Sequence, residues 1–292
     1  MYLHVQEYLR RGTCEGFAYS RLISNLGENE VKSYVFISGA AGGVGSAFAN
    51  ECASRKWNLF LTDIRTDELE KVAAVLSQKY GVDVITHTCN MIDEEDREQM
   101  FQVIREKLLV FHLLVNVAGV EYEGMFQEAS RKQLSTLLRL NIESTLDVTH
   151  EILPLRDESS TFRIITVASL AAFYPMPVKA MYSSSKRFLL NFFLALREEL
   201  RFDNITVTVL CPSGMPTLPR IIKAIEAQGL TGKLSMKKVD YVASKTVDKA
   251  LRGKAVYIPG RFNQLLRVVG SLIPQKTLAR MVGRRWISKS NK

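Results

Sequence analysis

Between residues 33 and 260 short apolar runs alternate with longer stretches in which apolar positions recur every three or four residues. The runs are SYVFIS (33–38), NLFLT (58–62), VITHT (84–88), LLVNV (113–117), RIITVA (163–168), TVTVLC (206–211) and AVYIP (255–259). Their β-branched and aromatic enrichment predicts strands. SAFANECASR, TDELEKVAAVLSQKY, EEDREQMFQVIREKL, SRKQLSTLLRLNIESTLDVTHEIL and SSSKRFLLNFFLALREELR predict amphipathic helices between them. Asp67 and Glu68 near one helix start, and Arg197 and Arg201 near another helix end, suit the helix dipole. This alternation implies an α/β, doubly wound, mostly parallel seven-stranded sheet with helices on both faces. Ligands of such sheets bind at the carboxyl ends of the strands, where the strand order reverses. Residues 1–30 have weak periodicity and read as an extension with a helix over 5–11, residues 31–260 as one domain, and residues 261–292 as a basic helical tail.

Composition narrows the class. The 292 residues are 47% hydrophobic and 24% charged, which is ordinary for a globular chain with one large core. No apolar run approaches the roughly 20 residues of a membrane span, and the first residues lack the apolar centre of a secretory signal, so a soluble, cytoplasmic protein is expected. Cys14, Cys52, Cys89 and Cys211 show neither a disulfide framework nor paired metal spacing, and His4, His87, His112 and His150 form no ligand pattern, so no metal is expected.

The net charge of +9 raises the question of nucleic acid or membrane. Eight basic residues and no acidic ones fall in 261–292, so the excess belongs to the tail, and no nucleic-acid partner is expected. The tail reads as a helix whose apolar side covers the core while its charges face water. Contact with a membrane surface or an acidic partner is the alternative.

SGAAGGVGSAFAN follows the first strand directly, with Gly39, Gly43 and Gly45 in the spacing GxxxGxG around Val44. Glycines there let the backbone turn tightly and approach a pyrophosphate seated at the amino end of the next helix. The second strand ends in Asp63, placed to accept hydrogen bonds from the adenosine ribose and to repel a 2′-phosphate, which favours NAD and leaves NADP open. Far downstream, YSSSK places Tyr182 and Lys186 one helical turn apart.

With these motifs in order, the sequence resembles the short-chain dehydrogenase/reductase family, whose fold is the Rossmann fold, over about residues 33–217 and more loosely to 260. Ser38-Gly39 stands for the family's Thr-Gly, Asn90-Met91 for its Asp-Val beside adenine, and Asn116-Val117-Ala118-Gly119 for its Asn-Asn-Ala-Gly. Pro212, Met215 and Thr217 lie in a loop like the one that contacts nicotinamide, with Ser213 replacing a glycine, so the backbone there must avoid a glycine-only conformation. The resemblance implies Asn141, Ser169, Tyr182 and Lys186 as the catalytic residues, with Ser169 thirteen residues before Tyr182. Ser169 would hold the substrate oxygen. Tyr182 would carry its proton, with a pKa brought down by Lys186 together with the positive oxidised nicotinamide, and Lys186 would also donate to the cofactor ribose. Asn141 would hold a relay water by its main chain.

The resemblance also implies the substrate side. Ile221, Ile222, Ile225, Leu230 and Leu234, facing Phe173, Tyr174, Pro175 and Met176, suggest an apolar mouth. The final segment looks like the hydroxysteroid dehydrogenase-like branch of the family. The expected activity is interconversion of a secondary alcohol and a ketone on a small apolar substrate, with a hydroxysteroid first and an acyl-chain ketone reduced by NADPH second. A dinucleotide-binding scaffold without turnover is the rival of another class. Relatives suggest a dimer or tetramer.

Overall fold

A computed structural model describes residues 32–216 and 234–290. The helix expected over 5–11, Thr217 and the pocket positions Ile221, Ile222, Ile225 and Leu230 lie outside the described residues. Within them, β1 (Ser33–Ser38), β2 (Asn58–Asp63), β3 (Val84–Thr88), β4 (Val110–Asn116), β5 (Phe162–Val167), β6 (Ile205–Leu210) and β7 (Val256–Tyr257) form one sheet. Its order is β3-β2-β1-β4-β5-β6-β7, and every pair is parallel. The chain leaves edge strand β3 and re-enters beside β1, so the order reverses between β1 and β4. The crevice at that reversal is where a ligand is expected to sit.

Each strand sends alternate residues to opposite faces. Phe36, Phe60 and Phe111 point to one side, with Phe36 and Phe60 stacked at 5.4 Å and Phe111 edge-on to both. They are covered by α3 (Glu94–Glu106), α5 (Ser144–Ile152) and α6 (Ala180–Glu199), while α4 (Arg131–Leu138) packs outside, against α6. Val35, Ile37, Leu59 and Leu61 point to the other side, beneath α1 (Gly43–Ser54), α2 (Thr66–Tyr80) and α7 (Val239–Leu251). Burial on both faces explains why the central strands read as unbroken apolar runs.

Three expectations change. The long helix over 130–153 is two helices joined by a π-helical turn over Arg139–Glu143, in which the Ser144 N–H reaches back to the Arg139 carbonyl. Helix α7 is absent from the sequence reading because its buried face, Val242, Ala243, Thr246, Val247 and Ala250, is largely made of small residues with weak apolar contrast.

The tail is also different. It forms α8 (Arg261–Leu272) and α9 (Gln275–Ser290), but α8 does not turn its apolar side to the core. Asn263 and Gly270 are the residues it buries, because the Asn263 amide is needed by three acceptors below it and a side chain at 270 would overlap the Tyr174 ring. Helix α9 buries Leu278. Among the described residues, no helix is long and apolar enough to cross a membrane, and no cluster of His, Cys, Asp and Glu could hold a metal ion.

Candidate active site

The glycine loop joins β1 to α1 at the reversal point. Gly39 takes φ of +67°, a conformation L side chains rarely adopt, and a Cβ there would lie 3.0 Å from the Ala118 backbone. A Cβ on Gly45 would stand 2.0 Å from the Gly39 carbonyl oxygen, so any side chain would open the turn. The Ser38 hydroxyl accepts the N–H groups of Val117 (3.1 Å) and Ala118 (3.2 Å), tying the ends of β1 and β4 together. That bond is why a hydroxyl residue is needed at 38. Gly43 and Val44 open α1, whose first turn contains no acidic residue, so its amino end is free of competing carboxylates. A cradle that only glycine backbone can form, at a helix amino end, fits a pyrophosphate.

Asp63 ends β2 on the edge of this cradle and is 6% exposed. Its carboxylate accepts the Ala41 N–H at 3.1 Å and the Arg65 N–H at 3.1 Å, and the Arg65 guanidinium grips both oxygens at 3.0 and 3.1 Å. The carboxylate is therefore not bare. Arg65 lies against the loop, 3.5 Å from where a Gly42 Cβ would be, and its pKa is raised by Asp63. Beyond β3, the Asn90 N–H donates to Asp96 at 3.0 Å and the Met91 carbonyl accepts from Arg97 at 2.8 Å, which fixes the backbone of that pair. The Asn116 amide donates to Thr149 at 3.0 Å and Thr166 at 3.5 Å, so this side chain clamps β4 to α5 and β5 and is turned away from the crevice. Ala118 and Gly119 follow it along the crevice wall.

Ser169, Tyr182, Lys186 and Asn141 converge on the far side of the same crevice. Ser169 caps the short 3-10 turn Leu170–Phe173, accepting the Ala171 N–H at 3.1 Å, and its hydroxyl pulls the Tyr182 pKa down. Lys186, one turn along α6, is buried, donates to the Val167 carbonyl at 2.9 Å, and lies 6.0 Å from the Tyr182 ring centre. Asn141 sits fully buried in the π turn. Its side chain accepts the Val120 N–H at 2.8 Å and donates to the Val120 carbonyl and the Ser185 hydroxyl, both at 3.0 Å. Gly119 is the link between them: a Cβ there would meet Asn141 Oδ1 at 3.1 Å and Lys186 Nζ at 3.4 Å.

Burial dominates the charges of the tyrosine and lysine. Tyr182 is pushed up to about 12, first by burial and then by the Glu121 carboxylate, with the Ser169 hydrogen bond pulling the other way. Lys186 is not among the groups that lower it. Burial instead lowers Lys186 to about 8, against the pull of Cys211 and Glu121. The site rests with a neutral phenol. Glu121 was not legible as a site residue in the sequence. It is held by Lys179, which also pairs with Glu123 at 2.8 Å.

The loop after β6 packs against the turn that follows Ser169. The Pro212 carbonyl accepts the Leu170 N–H at 2.7 Å, and Met215 packs on the core. Ser213 has no positive φ, as the loss of glycine required. Its hydroxyl donates to the Ser235 carbonyl and accepts from Asn263 of α8 at 3.1 Å. Tyr174, expected to line the substrate mouth, packs its ring under Gly270 of α8, and Arg267 lies 5.3 Å over the Phe173 ring. Leu234 is exposed.

Residues 33–224 match the model of the short chain dehydrogenase family. The chain belongs to this family. Among curated relatives, the very-long-chain 3-oxoacyl-CoA reductase of Laccaria bicolor is 31% identical over 60% of this chain and 52% of its own length. The very-long-chain 3-oxoacyl-CoA reductase of Anas platyrhynchos is 30% identical over 62% and 59%. The human inactive hydroxysteroid dehydrogenase-like protein 1 is 31% identical over 68% and 63%. The chain thus spans little more than half the length of the first of these. A structure of a 7β-hydroxysteroid dehydrogenase superposes with a TM-score of 0.77 at 19% identity, covering 86% of this chain and 96% of the other. The L-sorbose reductase of Gluconobacter frateurii superposes at 0.70 and 22% identity, covering 79% and 96%. At these identities the likeness is one of fold.

Proposed function

We propose that the protein is an NAD(P)H-dependent oxidoreductase of the secondary alcohol/ketone class, acting chiefly as a ketone reductase on an apolar acyl-chain substrate. The observation that carries this reading is the buried cluster in which Lys186 lies 6.0 Å from the Tyr182 ring centre and meets Asn141 across Gly119, with burial keeping the Tyr182 phenol neutral. Reduction of a ketone needs a proton donor at the oxygen where negative charge develops, and a neutral phenol is ready to give one. Ser169 offers a second hydrogen bond to the same oxygen, a fixed dipole aimed where charge appears. The buried Lys186 ammonium supplies positive charge beside the crevice and donors for ribose hydroxyls, and the Asn141 carbonyl in the π turn offers an acceptor for a relay back to solvent. The nicotinamide dinucleotide, when bound, supplies the hydride. The glycine cradle, Asp63, Ala118 and the loop from Pro212 would hold it.

Arg65 alters the cofactor expectation. A bare Asp63 favours NAD, whereas an Asp63 already neutralised by a guanidinium presents a cation to a 2′-phosphate. NADPH is therefore the favoured reductant, with NADH accepted. The names of the relatives favour a 3-oxoacyl chain over a hydroxysteroid. The intact Tyr182, Ser169, Lys186 and Asn141 set weighs against a scaffold without turnover, despite one relative being named inactive.

The test is nicotinamide absorbance with NADPH and NADH against long-chain 3-oxoacyl thioesters, steroid ketones and small ketones. Turnover of the acyl substrates that falls by about 10² to 10⁴ or more in Tyr182→Phe, with dinucleotide binding retained, is the expected result. Undiminished turnover in that variant would remove Tyr182 from its role.

A further inference from the structure

Helix α8 carries its apolar residues on the wrong side for a core. Leu265, Val268, Val269 and Leu272 follow the i, i+3, i+4, i+7 spacing of one helical face, and they are 58%, 50%, 47% and 79% exposed. Leu266 adds to the edge of this stripe and Met281 of α9 lies exposed beyond it. Single exposed apolar residues need no explanation, but a row of four on one helix does. The opposite face explains the orientation. Asn263 is held by the Ser213 hydroxyl and the Ser235 and Pro259 carbonyls, and Gly270 is required by Tyr174, so the helix cannot roll its leucines inward without breaking both contacts.

Charge indicates what covers the stripe. Residues 261–292 hold eight basic residues and no acidic one, nearly all of the molecule's net +9. Arg261, Arg267, Lys276, Arg280 and Arg284 are all exposed around it. A like copy of so basic a surface would be repelled, whereas an anionic lipid surface supplies both an apolar layer for the stripe and negative charge for its rim.

We propose that α8 and α9 dock this protein onto the surface of anionic membranes, with the α8 stripe inserted at the level of the headgroups. The helix rests on Phe173 and Tyr174, immediately after Ser169, and is bonded to Ser213 of the nicotinamide loop. Docking therefore sets the mouth of the crevice beside the lipid, where a greasy ketone is concentrated. That last step rests on the proposed function; the docking itself does not.

Sedimentation with vesicles tests it without substrate. Full-length protein is mixed with phosphatidylcholine vesicles, and with vesicles that also contain phosphatidylserine, in low and raised salt. Binding to the anionic vesicles is expected, weakened by salt and reduced about tenfold or more when Leu265, Val268, Val269 and Leu272 are all changed to Ser. Lys276→Gln/Arg280→Gln/Arg284→Gln is expected to weaken it too, and carries the test if the stripe variant does not fold. Absence of binding to anionic vesicles overturns the proposal, as does binding that neither variant changes. If the stripe variant instead converts an oligomer to a monomer and the parent ignores vesicles, the face belongs to a second copy and the proposal fails.

Discussion

Arg65 folds back on Asp63 two residues past the end of β2 and changes what that carboxylate means. The sequence places an acid at the adenosine end, but periodicity and spacing do not tell which cation neutralises it. The pair predicts a shift in cofactor choice. Arg65→Ala removes the guanidinium from a site that is half open to water, freeing the carboxylate to repel a 2′-phosphate, so the NADPH over NADH ratio of kcat/KM should fall by about tenfold or more. Steady-state kinetics with both reductants reads this directly, and an unchanged ratio would show that Arg65 has no part in the choice. The catalytic group was more legible than the cofactor group. Tyr182 and Lys186 are fixed by one turn of helix, and Ser169 lies at the end of a strand whose apolar run is plain. The state of the tyrosine was not legible, because burial and the Glu121 charge act through space, and Glu121 comes from a loop without periodicity.

At the scale of elements, the strands were read nearly to the residue because both faces of the sheet are buried. β7 is shorter than its run, Val256–Tyr257 within 255–259, and β4 starts three residues before its predicted run, since His112 interrupts the apolar pattern there. The π turn was not read from the hydrophobic pattern, because it is a single turn, Arg139–Glu143, too short for a change of period to show. The tail shows the opposite failure. One helix was expected where two form, and which side of the first faces inward is decided by Asn263 and Gly270, two residues that a hydrophobicity pattern counts as breaks. Asn263→Ala should thus cost more than an ordinary surface change. It removes the donor that the Pro259 carbonyl, the Ser213 hydroxyl and the Ser235 carbonyl share, a loss of about 1–3 kcal/mol. The expected signature is a lower melting temperature together with a weaker dinucleotide affinity, because Ser213 belongs to the loop proposed to hold the nicotinamide. A loss of stability with cofactor affinity untouched would separate the tail from the site.

The whole molecule depends on a histidine far from its chemistry. His112 lies within β4, bonded to the Ser33 hydroxyl at 3.1 Å and edge-on to Trp57 at 5.1 Å. Burial lowers its pKa from 6.5 to about 4, aided by Arg163 and opposed by Asp157. Between those values the unfolded chain binds the proton more readily than the folded one, so stability rises with pH across that window and is lost as pH falls through it. Denaturant unfolding should show a decline of about 3 kcal/mol from pH 6.5 to below 4. In His112→Gln this part of the slope should vanish, and an unchanged slope would assign acid sensitivity elsewhere. β4 has another consequence for the molecule, this time during its synthesis. Its place beside β1 means that Val35, Phe36 and Ile37, all fully buried in the finished protein, wait for a neighbour made more than seventy residues later. Until the ribosome has released residue 116, a nascent chain offers the open edge of β1 to any other strand. Chains cut short before β4 should accordingly be clients for chaperones or seeds for aggregation, while those cut just after it already have the central pair of strands.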